Sequence, residues 1–162
     1  MNVSQESDGK PSKQGKITIS NRQEVIPIDK RLLRRLVKYV ADEEGCKILS
    51  IDVAIVSADE IERLNRKYLN REGITDVMSF DLSEVGSDEL DGQIVVCADA
   101  AVVQSKHYGL DVQDELMLYV IHGLLHLIGY DDTSADLASK MQVRQKQILE
   151  NFKKLCGRGK NR

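Results

Sequence analysis

His122 and His126 stand four residues apart in a run that is otherwise almost wholly apolar: Leu116, Met117, Leu118, Val120, Ile121, Leu124, Leu125, Leu127 and Ile128 surround them. On a helix that spacing puts both imidazoles on one face. A helix apolar on nearly every side is a buried one. Two imidazoles in such a place need partners, because an unpaired buried polar group costs about 1–3 kcal/mol. A metal ion satisfies both. Gly129 suits the left-handed turn that ends a helix, and Asp131 and Asp132 follow it, so that either carboxylate can approach the same ion from another side. Two imidazoles and one carboxylate give the ligand count of a catalytic zinc site, with a fourth position left for water, whereas a structural site closes all four. The competing reading is a pair of core histidines bonded to backbone carbonyls. The glycine turn and the acidic pair beyond it favour the metal. A His2Asp set also accepts nickel, iron or manganese.

One absence narrows the chemistry. Zinc proteases of this spacing carry Glu directly after the first His, as general base. Here that position is Gly123, which disfavours peptide hydrolysis.

The elements that must position these groups follow from composition and periodicity. The chain has 162 residues, 41% hydrophobic and 30% charged, with a net charge of −3. That suits one soluble globular domain with a core of its own. We expect residues 1–15, polar and poor in apolar content, to be a disordered segment. Residues 16–155 are expected to form a single metallohydrolase domain, and 156–162 a basic tail. No apolar run reaches about 18 residues, and the N-terminus lacks the apolar core of a signal peptide, so a cytoplasmic protein is expected. Cys46, Cys97 and Cys156 are odd in number and far apart, which argues against a disulfide framework and a cysteine metal site. The net charge does not by itself suggest nucleic acid.

Taken in order, a strand is expected at 17–20. A helix capped by Asp29 follows, with Leu32, Leu33, Leu36, Val37 and Val40 at helical spacing and Gly45 at its end. Residues 47–56 alternate Leu49, Ile51, Val53 and Ile55 with polar or small neighbours, as a strand does. Ser57 and Glu60 make a capping box for a helix turning Ile61, Leu64 and Tyr68 inward. Its outer side carries Arg63, Arg66 and Lys67, with Arg71 just beyond, and these are the best candidates for phosphate contacts. Gly73 to Asp76 should break that helix before a strand at 77–82. Residues 83–92 read as an acidic loop, 94–97 as a central strand, and 99–108 as a helix ended near Gly109. His107 is isolated and expected to be exposed. Residues 111–128 form the central helix. Thr133 with Asp136 offers a cap for the last helix, through Leu137, Met141, Ile148 and Phe152. About four strands and about five helices in mixed order argue for an α+β fold. Asp131 is a candidate to orient a ligating imidazole from behind.

The run His122-Gly123, Leu125-His126-Leu127, Gly129-Tyr130-Asp131 resembles the bacterial YbeY family of metal-dependent endoribonucleases that act in ribosomal RNA maturation. So do Leu64-Asn65, Tyr68, Thr75-Asp76-Val77 and Ser79-Phe80. The family's usual third His is Asp132 here, its Arg after the Tyr is Leu69, its Pro before the Thr is Ile74, and the Asp of its G-D-I pattern is Gln93. The resemblance implies a small mixed sheet surrounded by helices. It implies His122, His126 and Asp132 as metal ligands and catalytic centre, with one Zn2+, and single-stranded RNA as substrate. The expected role is maturation of the 16S rRNA 3′ end and ribosome quality control, with the ribosome or its small subunit as partner and neither DNA nor membrane. A ribosome-associated assembly factor with a structural or absent metal is the alternative, and a zinc protease the weaker one.

Overall fold

A computed structural model of the chain describes residues 15–157. The expected tail beyond Gly157 and the expected disordered segment up to residue 14 lie outside the described residues. Gly15, placed by the sequence in that segment, instead donates its amide to the Ile48 carbonyl at 2.7 Å.

Among the described residues four strands form one mixed sheet: β1 (Lys16–Arg22), β2 (Lys47–Val56), β3 (Val77–Asp81) and β4 (Glu89–Cys97), in the order β1-β2-β4-β3. β1 runs parallel to β2 and β2 parallel to β4, while β3 is antiparallel to β4 on the edge. Among the described residues five helices surround it: α1 (Lys30–Glu43), α2 (Ala58–Leu69), α3 (Ala98–Tyr108), α4 (Val112–Ile128) and α5 (Ala135–Leu155). This is the α+β arrangement read from the sequence.

The two sheet faces differ, and the difference places the site. Ile51, Val53 and Ile55 of β2 and Ile94 and Val96 of β4 turn to one face, where they meet Leu33, Leu36 and Val37 of α1, Leu116, Val120 and Leu124 of α4, and Met141, Ile148 and Phe152 of α5. Most of these side chains are fully buried, and each contributes about 1.5–3 kcal/mol through burial. The other face carries a smaller cluster of Val56, Ile61, Met78, Val95 and Cys97 under α2. α4 therefore crosses the principal core, with its C-terminal end reaching the rim beside β3.

Several local expectations are corrected. The β2 register slips between Ile48 and Ser50, so Leu49 is the extra residue of a bulge and Ile48, not Leu49, is buried. α2 ends at Leu69, where Asn70 takes the left-handed conformation (φ 49°), before Gly73 is reached. Tyr68 is not inward but 56% exposed, its ring meeting Phe80 edge-on at 5.6 Å. β4 begins at Glu89, so the acidic stretch is half strand: Leu90 and Gly92 are buried between its charged residues. The last helix is capped by Ser134, which accepts from the Leu137 amide, because Thr133 is engaged elsewhere.

Candidate metal centre

α4 starts at Asp111, whose carboxylate accepts from the amides of Gln113 and Asp114, and it ends at Gly129 (φ 118°). The Gly129 amide reaches the carbonyls of Leu125 and His126, and the Tyr130 amide that of Leu125 at 2.9 Å. These bonds satisfy the last carbonyls of the helix and fix the direction in which the chain leaves. The chain is pinned again at Tyr130. Its hydroxyl donates to Glu44 Oε2 at 2.9 Å, and Arg144 Nε of α5 donates to Glu44 Oε1 at 2.7 Å. Burial, then the Glu44 contact, pushes the Tyr130 phenol above its usual pKa, and the same carboxylate raises Arg144.

This double hold brings Asp132 over the two imidazoles. His122 Nε2 and His126 Nε2 lie 3.0 Å apart. Asp132 Oδ2 is 3.7 Å from the first and 3.4 Å from the second. A tetrahedral zinc with bonds of about 2.0–2.1 Å requires ligand atoms about 3.3 Å apart, so the triangle fits one such ion. The donor chemistry fits as well. His122 Nδ1 lies 2.5 Å from Gln145 Oε1. An amide oxygen only accepts, so this contact is a hydrogen bond when Nδ1 carries the proton, the tautomer that leaves the Nε2 lone pair to an ion. The imidazole side chains are 27% and 31% exposed and that of Asp132 42%, so the fourth side is open to solvent and substrate.

Gly123 faces the sheet. A Cβ there would lie 2.7 Å from Ile94 Cγ2, 3.1 Å from Ser79 Oγ and 3.2 Å from Val77 Cγ2, and Ser79 Oγ donates to the Gly123 carbonyl at 3.1 Å. The position where a zinc protease keeps its general base is thus packed shut. Gly123→Glu is expected to destabilise the fold by about 2–4 kcal/mol, through overpacking and a buried charge without a partner, and to confer no peptidase activity. Thermal melting with a peptide-library digest checks both.

The structure separates the remaining candidates from this triad. Asp131, expected behind an imidazole, hydrogen-bonds Thr133 instead: its two oxygens accept from the Thr133 amide at 3.0 Å and hydroxyl at 2.9 Å. These bonds hold its carboxyl below the usual range. The partner behind His122 is Gln145, which sequence reasoning missed. The signal was present, since Met141, Gln145, Ile148 and Phe152 fall at i, i+4, i+7 and i+11, a single polar residue in an apolar stripe. Arg63, Arg66, Lys67 and Arg71 are all exposed. Arg66 pairs with Glu62 at 3.3 Å, and Lys67 Nζ lies 5.1 Å from the Tyr68 ring. Among the described residues none of the four is hydrogen-bonded or ion-paired to the triad. The helix that carries the first three borders a groove of about 490 Å³ on the open side of the sheet, lined by Arg22, Asp52, Leu64, Tyr68, Phe80 and Gln93 among others. His107 is exposed, stacked edge-on with Tyr108, and far in sequence from the triad.

The profile of the family described as Endoribonuclease YbeY matches residues 18–153. The chain belongs to the YbeY endoribonuclease family. The YbeY match runs from β1 into the last turn of α5, through every element that supplies the triad and its supports. Similar chains named Endoribonuclease YbeY include one from Halalkalibacterium halodurans, 37% identical over 146 residues, covering 83% of this chain and 89% of that one. Another, from Chlorobaculum tepidum, is 34% identical over 122 residues, covering 75% and 88%. A solution structure of a Thermotoga maritima protein superposes with a TM-score of 0.61 at 28% identity, covering 85% of this chain and 89% of that one. The YbeY nuclease family and the His122–His126–Asp132 cluster agree on a site able to hold a metal ion.

Proposed function

We propose that this chain is a metal-dependent endoribonuclease that hydrolyses phosphodiester bonds in single-stranded RNA. Its ion is zinc, held by His122, His126 and Asp132, and its setting is rRNA maturation on the small ribosomal subunit in the cytoplasm. The observation that carries the reading is the convergence of three ligand atoms, all within 4.8 Å of one another, at an open rim. When bound there, the ion supplies a water acidified toward neutrality and a Lewis acid for the phosphoryl oxygens. The chain's own groups do the rest. Gln145 orients His122, and Gly129 and Tyr130 hold the turn that delivers Asp132. The packed side of Gly123 leaves no room for a carboxylate base at the position where a zinc protease keeps one.

The strand's path is supported by the α2 surface. Tyr68 and Phe80 offer rings on which unpaired bases can stack, and Arg63, Arg66, Lys67 and Arg71 place positive charge beside them. Val77 and Ser79 of β3 face Gly123 while Phe80 faces the groove, so only the width of the edge strand separates the groove from the helix that bears the ligands. No described helix is long and apolar enough to cross a membrane.

The test is digestion of a single-stranded RNA oligonucleotide, a duplex and single-stranded DNA. Cleavage of the first alone, abolished by chelator and restored by zinc, is expected. Arg63→Ala with Lys67→Ala should raise KM several-fold with kcat little changed, and lower the salt slope by about 0.7 for each phosphate no longer neutralised. Cleavage that persists unchanged in chelator would defeat the proposal.

A further inference from the structure

Gln145 occupies an unusual place. It projects from the inner stripe of α5, between Met141 and Ile148, both essentially fully buried, and its amide oxygen meets His122 Nδ1. Its neighbour Arg144 clamps Glu44 beside Tyr130. One turn of α5 therefore supports both arms of the metal centre, the helix that bears the histidines and the turn that bears Asp132.

The chemistry of residue 145 has two parts. An acceptor at Nδ1 fixes the tautomer and the ring orientation of His122, so that Nε2 faces the point shared with His126 and Asp132. A neutral acceptor does this without adding charge. The three ligand side chains already carry one negative charge, that of Asp132. A carboxylate behind His122 would bring a second, cancel a dication's charge and weaken its pull on water. A site with an anionic third ligand has a physical reason to keep its support neutral.

We propose that Gln145 is a positioning residue that locks His122 in its Nδ1-protonated tautomer and holds the protein charge of the metal centre at one negative. This rests on the reading of the triad as a metal site, and its test has readouts besides cleavage. Zinc affinity of the full chain is measured by chelator competition for the wild type and for His122→Ala, Gln145→Leu and Gln145→Glu. The tautomer of His122 in metal-free protein is read from 15N histidine shifts. We expect Gln145→Leu to bind zinc about 10- to 100-fold more weakly, with a mixture of tautomers. We expect Gln145→Glu to bind at least as tightly as wild type with the Nδ1–H form intact, while the rise of kcat with pH moves to higher pH. Melting curves of the metal-free variants identify any that fails to fold, and Gln145→Glu then carries the test through its zinc affinity and tautomer together with its pH profile. Wild-type affinity and tautomer in Gln145→Leu would overturn the inference and leave the metal site standing. So would a Gln145→Glu pH profile identical to wild type. Wild type binding zinc no better than His122→Ala would overturn both.

Discussion

His122→Ala is expected to fold and to lose RNA cleavage by about 1000-fold or more. The size follows from the role of the ion. Charge stabilisation by a metal is worth several kcal/mol in a transition state, and each 1.36 kcal/mol is about tenfold in rate. Folding survives because the side chain lies at the rim, 27% exposed, rather than in the core. The deepest α4 contacts come from Leu116, Val120, Ile121 and Leu124, which the substitution leaves untouched. The cost to stability is the Gln145 bond, about 1 kcal/mol. Initial rates on a single-stranded RNA at saturating zinc, set beside melting curves, separate the two effects. A variant that keeps its melting point and its cleavage would remove the triad from the chemistry.

The second large effect belongs to Asp132. Asp132→Ala removes the one proposed ligand not on α4, and we expect zinc affinity to fall by more than the about 10- to 100-fold typical of losing an outer-shell partner, and cleavage with it. Asp132→His is the informative partner. It restores the usual residue of the YbeY family, and a neutral ligand leaves more positive charge on the ion. Cleavage should return, with its pH dependence displaced to lower pH than wild type. The turn is built independently of residue 132, by Gly129, by Tyr130 on Glu44, and by Asp131 on Thr133, so either side chain emerges in the same place. A pH–rate profile of the wild type and both variants checks the order. Equal profiles for the wild type and Asp132→His would show that the third ligand's charge does not reach the reaction.

What the sequence revealed, and what it concealed, divides by range of interaction. The α4 run, the Asp29 cap, the limits of β2 and the glycine after Ile128 are governed by neighbours a few residues away, and the structure places them where local patterning does. Long-range contacts were hidden. The start of β4 reads as an acidic loop because Glu89 and Asp91 dominate its composition. Pairing with β2, and the approach of Leu127 and Phe80 to Gly92, make it a strand. Tyr68 follows the helical period inward, yet it lies on the last turn of α2, beyond the reach of the core, where it meets Phe80 and Lys67.

The site shows the same division. The two proposed ligands on one helix turn are visible as spacing. The third is visible only through the glycine bend and the family pattern. The groups behind them are not, because Gln145 is 23 residues from His122 and Arg144 is 100 from Glu44. Asp131 was the natural candidate by proximity in sequence. Thr133, two residues on, offers its carboxylate both an amide and a hydroxyl without any chain reversal, and that local pair wins.

The central claim is that one ion sits among three named atoms, and an anomalous-scattering map from crystals grown with zinc tests it without any assay. One peak is expected, about 2.0–2.2 Å from His122 Nε2, His126 Nε2 and Asp132 Oδ2, with its remaining side toward solvent. A peak held elsewhere, or none at these atoms under saturating zinc, would contradict the account.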